Sequence, residues 1–311
     1  NGAFPFLYFI TEYPITLLDK LIPWIGKHIL LVPNEVSFNI TGSGDTTYDY
    51  IVVFTIMITA LMGTIIWTVL DKKSTHYTKL YYWLTVAIRY YIGLMLINYG
   101  LIKIIKLQFP SPNFHRLSQN YGDSSPMGLA WTFLGYSKGY NLMMGIIEVS
   151  SVFLLFRRTM TFGAIITLMS TANVMAVNYF YDVPVKITST ALFIMTLFLL
   201  LQNCKQLFTF FFTNESVSLS IIKAPEIKKK WLRITKIIGK LLLIGYVLIY
   251  GFVETLQSSK EYGDNAPKPK LHGLYIVDMY KLNNDTIPAL ITDSIRWHQL
   301  EIIWDGYATV R

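Results

Sequence analysis

The sequence is short of cysteine and of charge. Its 311 residues include one cysteine, Cys204, which excludes a disulfide framework, a CxxC pair and a cysteine-ligated iron–sulfur centre within this chain. Charged residues make up 15% of the chain, whereas typical soluble domains carry about 25%. Hydrophobic residues make up 53%, and the mean hydropathy is +0.41. These values exclude a disordered protein, an ordinary cytosolic protein and a protein that coats nucleic acid, and they indicate an integral membrane protein.

Metal-binding patterns are also missing from the sequence. The five histidines all lie outside the long apolar stretches, at His28, His76, His115, His272 and His298. Haem bound within a bilayer usually needs an axial side chain at that depth. The sequence contains neither an HExxH motif nor clustered cysteines and histidines. We therefore expect no metal site and no haem or copper oxidase core.

Six stretches are predicted to be transmembrane helices, because a bilayer core about 30 Å thick is crossed by about 20 mostly apolar residues. They are residues 50–70, 81–105, 140–156, 161–180, 187–204 and 236–254. The predicted fold is an all-α polytopic membrane bundle of about six helices with a small C-terminal extramembrane β-module. Its predicted parts are an outer-face N-terminal segment (1–49), a transmembrane region (50–205), a cytoplasmic amphipathic basic segment (206–235), a last transmembrane helix (236–254) and a periplasmic β-rich module (255–311).

Basic residues orient the predicted helices, because cytoplasmic loops are enriched in lysine and arginine. They cluster in alternate loops, at Lys72, Lys73 and Lys79, at Arg157 and Arg158, and at Lys205, Lys228–Lys230, Arg233 and Lys236. We place these loops on the cytoplasmic side of a bacterial inner membrane and the C-terminus in the periplasm. The net charge of +8 reflects this bias, so the bilayer is an expected partner and nucleic acid is not.

The C-terminal tail has the character of a β-module. Gly273–Val277 and Arg296–Trp304 are predicted strands, and Asn283–Asp285 indicates a turn between strands. Three or four short strands are too few for an independent sandwich. We therefore expect the module to continue beyond Arg311 or to lean on another membrane or periplasmic protein.

Spaced glycines, aromatics and charges between residues 86 and 205 form a recognisable pattern. They are Arg89-Tyr90-Tyr91-x-Gly93, Tyr99-Gly100-x-x-Lys103, Gln108-Phe109-Pro110-x-Pro112, Met127–Gly135, Tyr140, Gly145-x-x-Glu148, Arg157-Arg158-Thr159 and Asn178-Tyr179-x-Tyr181-Asp182-Val183-Pro184-Val185-Lys186. This pattern resembles the DoxX-like family of integral membrane proteins, in its long Bacteroidetes-type form. The resemblance implies a four-helix core at 86–205, and some relatives are membrane subunits associated with quinone-linked oxidation of sulfur compounds.

Two charges are predicted deep inside the bilayer. Arg89 lies well beyond Lys79 along its helix, and Glu148 lies almost midway between Tyr140 and Arg157. Each costs about 2.5–3.5 kcal/mol there unless it is paired or faces a wet cavity. We therefore expect Arg89 and Glu148 to pair inside the bundle. The pair is either a structural contact that fixes helix register or part of a substrate, quinone or proton site. Two further interpretations are interfacial snorkelling and helix limits that differ from the predicted ones.

Other polar side chains extend this predicted site. Lys103 lies on the helical face of Arg89, Asn141 lies on the face of Glu148, and Asn178 lies near the end of a later helix. Asp182 and Lys186 are expected at the outer mouth. For Lys103 the alternative is a side chain that snorkels outward, and for Asn178 it is a helix cap or an interhelical hydrogen bond.

The segment 107–139 is predicted to be a re-entrant or interface-lying helix over the outer mouth, because prolines interrupt an apolar, aromatic stretch. Its proposed contacts with a lipid-soluble ligand such as a quinone are Tyr99, Gln108, Trp131 and Tyr140. Alternatively, Trp131 and its aromatic neighbours anchor the chain at the membrane interface.

Three functions follow from these observations and from the resemblance. The first is a quinone-linked redox or accessory membrane subunit, with quinone as the cofactor class and Arg89 and Glu148 at the buried polar site. The second is a structural or assembly subunit of an envelope complex that docks through the β-module. The third is a proton-coupled carrier in which Glu148 changes its protonation state. The sequence identifies no catalytic residue.

Overall fold

The protein is mostly helical. The computed structural model describes residues 8–38, 44–74, 76–213, 215–222, 224–226, 228–288, 290 and 295–310. The α-helices are α1 (Tyr8–His28), α2 (Thr47–Leu70), α3 (Thr78–Ile104), α4 (Phe114–Ser118), α5 (Pro126–Tyr136), α6 (Lys138–Val149), α7 (Met160–Phe180), α8 (Lys186–Leu201), α9 (Cys204–Phe212) and α10 (Lys230–Glu261). Two 3-10 helices lie at Tyr121–Asp123 and Ser150–Leu155. The strands are β1 (Gly273–Ile276), β2 (Tyr280–Leu282), β3 (Asp285–Ile287), β4 (Gln299–Trp304) and β5 (Tyr307–Val310).

Four helices are long and apolar enough to cross a membrane. They are α2, α3, α7 and α10, which correspond to four of the six predicted stretches. A fifth candidate is the pair α8 and α9, which together pass the same test but bend by 76° at their junction. The prediction of a helical protein with several candidate spans and a small C-terminal β region is thereby confirmed, with four or five such spans among the described residues instead of six.

The predicted span at 140–156 is not one long α-helix. The α-helical part, α6, ends at Val149, and the chain continues as the 3-10 helix Ser150–Leu155. Two serine hydroxyls mark the change, since Ser150 donates to the carbonyl of Ile146 at 2.8 Å and Ser151 donates to the carbonyl of Gly93 in α3 at 3.2 Å. A hydroxyl that bonds back to a carbonyl four residues earlier often bends a helix.

Two other predicted segments differ from the structure in their helix boundaries. The N-terminal segment 1–49, predicted only as an outer-face segment, contains the 21-residue helix α1. The basic segment 206–235 is helical up to Phe212 and again from Lys230, where α10 begins, but is not helical over the described residues 215–226.

The chain divides into two compact units. The first contains residues 1–101 and 144–254, and the second contains residues 102–143 and 255–311. The core of the first unit is a cluster of buried apolar residues from α3, α7, α8 and the 3-10 helix Ser150–Leu155: Ile92, Leu96, Leu154, Ala164, Leu192, Leu199 and Leu200.

Glycines let α3 lie directly against the chain that runs through α6 and the following 3-10 helix. A Cβ atom on Gly100 would lie 2.7 Å from the carbonyl oxygen of Gly145 and 2.9 Å from the backbone nitrogen of Val149. One on Gly93 would lie 2.7 Å from a methyl carbon of Leu155. The residue numbers rise in α3 as they fall in its partner, so the two segments are antiparallel.

The second unit contains two small antiparallel sheets. One has the strand order β1-β4-β5, with Tyr275 opposite Leu300, and the other is the hairpin of β2 and β3. The turn of this hairpin, Asn283-Asn284, has positive φ at both residues, 50° and 71°. This geometry matches the twist of two-residue hairpins and favours asparagine or glycine. The predicted strands and turn of the tail therefore correspond to observed ones, with the second predicted strand shortened to β4.

Candidate functional site

A cleft in the first unit gathers positive charge from several parts of the chain. Its volume is about 550 Å³, and it is lined by α3, the segment that follows the 3-10 helix Ser150–Leu155, residues 224–226 and α10. The basic lining residues are Arg89, Arg157, Arg233, Lys236 and Lys240. Glu226 is the one carboxylate among the described residues that line it. We call this the basic cleft.

Arg89 lies at the buried end of the basic cleft, and its residue exposure is 2%. Its Nε donates a hydrogen bond to the carbonyl oxygen of Leu154 at 2.6 Å. Leu154 lies in the last turn of the 3-10 helix Ser150–Leu155, where carbonyl groups have no partner within the helix. The helix dipole also places partial negative charge at this end. Arg89 therefore caps the C-terminal end of the chain segment that begins with α6.

Lys240 caps the same helix end from α10. Its Nζ donates to the carbonyl oxygen of Leu155 at 2.5 Å and lies 3.9 Å from the centroid of the Phe156 ring. A cation over an aromatic face is attracted by the ring quadrupole. One turn earlier in α10, Lys236 donates to the hydroxyl of Tyr82 at 3.3 Å. Both lysines are thus held by specific contacts, and they orient their charges towards the basic cleft.

The segment between α9 and α10 closes one side of the basic cleft. We call it the strap, described at residues 215–222 and 224–226. Asn203, which is fully buried, holds it at Ser220: the backbone N–H and the hydroxyl of Ser220 both donate to Asn203 Oδ1, at 2.9 and 2.7 Å. Asn203 Nδ2 donates to Thr161 of α7 at 2.8 Å. Arg157 Nη1 donates to the carbonyl oxygen of Ile222 on the strap at 3.5 Å.

Arg89 and Glu148 do not lie opposite one another, so the predicted pair is replaced by a different arrangement. Arg89 lies at the level of Leu154, whereas Glu148 lies beside Val149, whose backbone approaches Gly100. Eleven residues of α3 separate Arg89 from Gly100, which is about 16 Å along the helix axis. Both charges are buried, as predicted, but they lie at different depths.

The remaining predicted polar residues are distributed over separate contacts. Lys103, Asn141 and Asn178 are buried. Asn141 Nδ2 donates to the carbonyl oxygens of Leu134 and Ser137 at 2.6 and 3.0 Å. Asn178 Nδ2 donates to the carbonyl oxygen of Val185 at 3.1 Å, in the manner of a local structural hydrogen bond. The Asn178 bond joins α7 to Val185, the residue before α8, and it is of the kind described by the structural alternative, a helix cap or an interhelical hydrogen bond.

Asp182 and Lys186 form an exposed pair. Lys186 Nζ lies 2.5 Å from Asp182 Oδ1, and the Asp182 side chain is 78% exposed. Surface pairs of this kind contribute little to stability. The structure therefore brings these two predicted residues together, but not within an enclosed site.

Of the predicted ligand contacts, Trp131 lies in the short helix α5, Tyr140 lies in α6, Tyr99 lies in α3, and Gln108 follows α3. The Trp131 ring packs edge-on against Phe109, with centroids 5.1 Å apart, and Tyr140 packs similarly against Phe133 at 5.5 Å. Tyr99 and Gln108 are both partly buried. With 11 residues, α5 is too short to cross a bilayer, and its aromatic contacts are with neighbouring residues of the same unit.

The second unit contains its own cavity, of about 580 Å³, next to an ion pair. Lys106 Nζ lies 2.6 Å from Asp264 Oδ2, and the backbone N–H of Ser111 donates to Asp264 Oδ1 at 2.7 Å. Burial alone would raise the pKa of Asp264. The hydrogen bonds from Lys106 and Ser111 outweigh that effect and lower its pKa below the usual value. This arrangement ties the segment after α3 to the segment after α10.

Sequence reasoning did not include the α10 residues in the site. Arg233 and Lys236 served only to orient the predicted helices, and Lys240 lay within a predicted span. They recur with Ile237 and Leu241 at intervals of three and four residues, the spacing of one helix face. The two lysines near the start of an apolar helix, four residues apart, are the signal that could have identified them. Among the described residues, no group of three or more histidine, cysteine or acidic side chains could hold a metal ion.

Comparison with known proteins finds a similarity to a bacterial protein. Over 115 residues the chain is 34% identical to the "Uncharacterized protein YwoB" of Bacillus subtilis (strain 168), a match that covers 36% of this chain and 71% of that protein. No family model matches the chain, and no solved structure matches it.

Proposed function

The chain belongs to the same family as YwoB of Bacillus subtilis, and we propose that this member is a polytopic inner-membrane protein that holds a lipid-soluble amphiphile in the basic cleft. In this role it serves as an accessory membrane subunit. The observation that carries the proposal is a cluster of five cations, one of them nearly fully buried, between helices long enough to span a bilayer.

The exposed apolar surface supports insertion in a membrane. Only 6% of the most apolar 18-residue stretch of α2 is buried, and the corresponding share of α10 is 17%. Side chains such as Met57, Leu61 and Ile66 are more than half exposed. Soluble proteins rarely expose contiguous apolar patches of this extent, whereas a hydrocarbon environment removes the cost of the exposure.

The location of the basic side chains supports the proposed orientation. Arg157 comes from one basic loop and Arg233 and Lys236 from another, and all three line the same cleft. Loops with excess lysine and arginine remain on the cytoplasmic side. We therefore assign the basic cleft to the cytoplasmic half of the inner membrane and residues 255–311 to the periplasm.

The charge of the basic cleft supports a ligand with an electron-rich head. A cation at the centre of a membrane helix costs about 2.5–3.5 kcal/mol on insertion scales. The carbonyl groups of Leu154 and Leu155 compensate part of this cost. A ligand that accepts hydrogen bonds would compensate more. The DoxX-like pattern supports quinones as one class, because their carbonyl oxygens accept hydrogen bonds, and lipids with polar heads are another.

Sequence neighbours allow a matched test of the proposal. Val86 lines the basic cleft, whereas the next residue, Ala87, is exposed on another face of α3. Likewise Ile237 lines the cleft and Ile238 does not. The full chain and its V86W, A87W, I237W and I238W variants would be purified in mild detergent, and the co-purified quinones and lipids would be quantified by mass spectrometry.

The proposal predicts a near-stoichiometric amphiphile in the parent protein, in A87W and in I238W. Most of it should be lost from V86W and I237W, because an indole would fill the basic cleft. The variants are compared only where their helix content and melting temperatures match those of the parent. Equal retention in all variants would contradict the proposal.

A second role, docking of a partner protein, has support from the sheet of the second unit. Its order, β1-β4-β5, leaves β5 at an edge. An edge strand presents backbone groups to which an extended segment can pair. Affinity purification of the parent and of a T309P variant, which disrupts the edge strand β5 because proline cannot donate to a β-ladder, tests the role. Loss of a stable envelope protein from T309P alone would support it.

A further inference from the structure

The geometry points to a phosphate ester as the head of the amphiphile in the basic cleft, so that the bound molecule is an anionic phospholipid. This inference rests on the proposed function and adds the chemical class of the ligand. It depends on three features of the basic cleft: its excess of cations, its three guanidinium groups and its apolar wall.

The excess of cations requires a negative charge. Five basic side chains face the basic cleft and one carboxylate, Glu226, faces it with them. The two helix-end carbonyls that bind Arg89 and Lys240 supply only partial negative charge. A quinone or another neutral head would leave most of the mutual repulsion between these cations uncompensated. An anion would remove it.

Three of the five cations are arginines, at positions 89, 157 and 233. A guanidinium presents its N–H donors in a rigid planar fork, which matches the oxygen atoms of a phosphate and binds them in pairs. The Nε of Arg89 is bonded to Leu154, but within the described chain its two terminal nitrogens have no hydrogen-bond acceptor. They are therefore available to a ligand in the basic cleft.

The apolar wall indicates a lipid as the source of the phosphate. The same cleft is lined by Val86, Leu155, Phe156, Ile237 and Leu241, and both Ile237 and Leu241 are more than half exposed. A free phosphate ion would gain no binding energy from these apolar side chains. A phospholipid can place its head among the arginines while an acyl chain covers this apolar surface.

Glu226 is placed to compete with an anionic ligand for the cations of the basic cleft. It lies on the strap, which Asn203 and Arg157 hold in place, and it is the described carboxylate that faces the basic cleft. Its negative charge attracts the arginines and repels an incoming phosphate. Removal of this charge should therefore strengthen binding. A residue with only a structural role would not produce this gain.

Native mass spectrometry of the full chain in detergent micelles tests the inference. The probes are phosphatidylglycerol, phosphatidylcholine with the same acyl chains, a long-chain ubiquinone and inorganic phosphate. Arg157 lines the basic cleft and Arg158 does not, so R157Q and R158Q are a matched pair. Glu226 and Glu215 form a second matched pair on the strap, because Glu215 does not line the cleft.

We expect phosphatidylglycerol to bind more tightly than phosphatidylcholine or ubiquinone. R157Q should weaken this binding by at least about tenfold, the usual effect of losing a hydrogen bond between charged groups, and R158Q should not change it. E226Q should strengthen it by about threefold or more, because a nearby like charge is removed, and E215Q should have no such effect.

Each contrary result has a distinct meaning. If ubiquinone or phosphatidylcholine binds as tightly as phosphatidylglycerol, the phosphate assignment is wrong. It is also wrong if E226Q does not strengthen phosphatidylglycerol binding and R157Q and R158Q bind this lipid equally tightly. In that case the proposed function still stands as long as V86W displaces the ligand and A87W does not. If inorganic phosphate binds as tightly as phosphatidylglycerol, the lipid source is wrong. If no amphiphile binds, the inference and the proposed function both fail.

Discussion

At the scale of single residues, Arg89 contributes to stability by capping a helix end, and it does so independently of Glu148. Replacement by glutamine removes the charged donor from the Leu154 carbonyl, which should lower the free energy of unfolding by about 1.5–3 kcal/mol. The two charges lie at different levels of the α3 contact, so the effects of R89Q and E148Q should add to within about 0.5 kcal/mol in the double variant.

Unfolding by sodium dodecyl sulfate in mixed micelles would measure these free energies. The control is R158Q, which changes an exposed arginine and should alter stability by less than about 0.5 kcal/mol. If the double variant loses much less free energy of unfolding than the sum of the two single losses, the result would support the direct pair predicted from the sequence.

Asp264 gives the second unit a dependence on acid. Its pKa is lowered in the folded protein by the hydrogen bonds from Lys106 and Ser111, which outweigh the opposing effect of burial. Its contribution to stability is therefore fully present above the unfolded pKa of about 3.9 and is lost as the pH falls through the lower, folded pKa.

D264N should destabilise the second unit at neutral pH, and the difference in melting temperature between D264N and the parent should shrink below about pH 4. Asp278 supplies the control, because its side chain is exposed in the same unit. Thermal melts of the parent, D264N and D278N at neutral and acid pH would check this. A constant difference between D264N and the parent across pH would contradict the assigned role of the carboxylate.

At the scale of helices and strands, the contact between α3 and the segment containing α6 depends on Gly100. An added methyl group there would press on backbone atoms of Gly145 and Val149, which cannot rotate away. G100A should therefore be destabilising despite the better helix propensity of alanine. In α2, a Cβ on Gly63 would meet no atom within 4 Å, so G63A should be neutral or stabilising by up to about 1 kcal/mol.

Melting temperatures of the two variants in the same detergent would compare them directly. A similar response at both positions would mean that the two segments can separate at little cost, and that the close approach at Gly100 is not required by the fold.

Hydropathy was sufficient to predict α2, α3, α7 and most of α10, because each of these helices contains a long apolar run. It was not sufficient for the stretch 140–156, where the α-helix ends at Val149 and the chain continues as a 3-10 helix. Depth alone also misassigned the partner of Arg89. A charge inside the bundle can be compensated by a helix end as well as by an opposite charge, and helix ends inside a predicted span are not visible in composition.

The α10 part of the basic cleft was missed for a related reason. Lys236 lies in the alternate basic loops that oriented the chain, and Lys240 lies within a predicted span. The structure shows that one helix face carries both of them into the basic cleft with Arg233. The same basic side chains can therefore indicate the orientation of the helices and line a cleft. The sequence shows the first role, and only the tertiary structure shows the second.

At the scale of the whole molecule, the proposed orientation can be tested with the native cysteine. Cys204 is the single cysteine of the chain, it is exposed, and it begins α9 next to Lys205. If the basic ends of the helices face the cytoplasm, a membrane-impermeant maleimide should label Cys204 in lysed spheroplasts and leave it unlabelled in intact ones.

The matched reporter for the opposite side is a C204S/D305C double variant. Asp305 lies in the exposed turn between β4 and β5, which we assign to the periplasm, so its replacement by cysteine should be labelled in intact spheroplasts. The reverse pattern at both positions would invert the proposed topology, because the basic cleft would then open to the periplasmic leaflet. Labelling of both positions in intact spheroplasts would place α9 and the β4–β5 turn on the same side, which requires an even number of membrane crossings between them. The proposed path has α10 as a single crossing between Cys204 and Asp305, and that result would therefore show that α10, despite its length and hydropathy, does not cross the membrane.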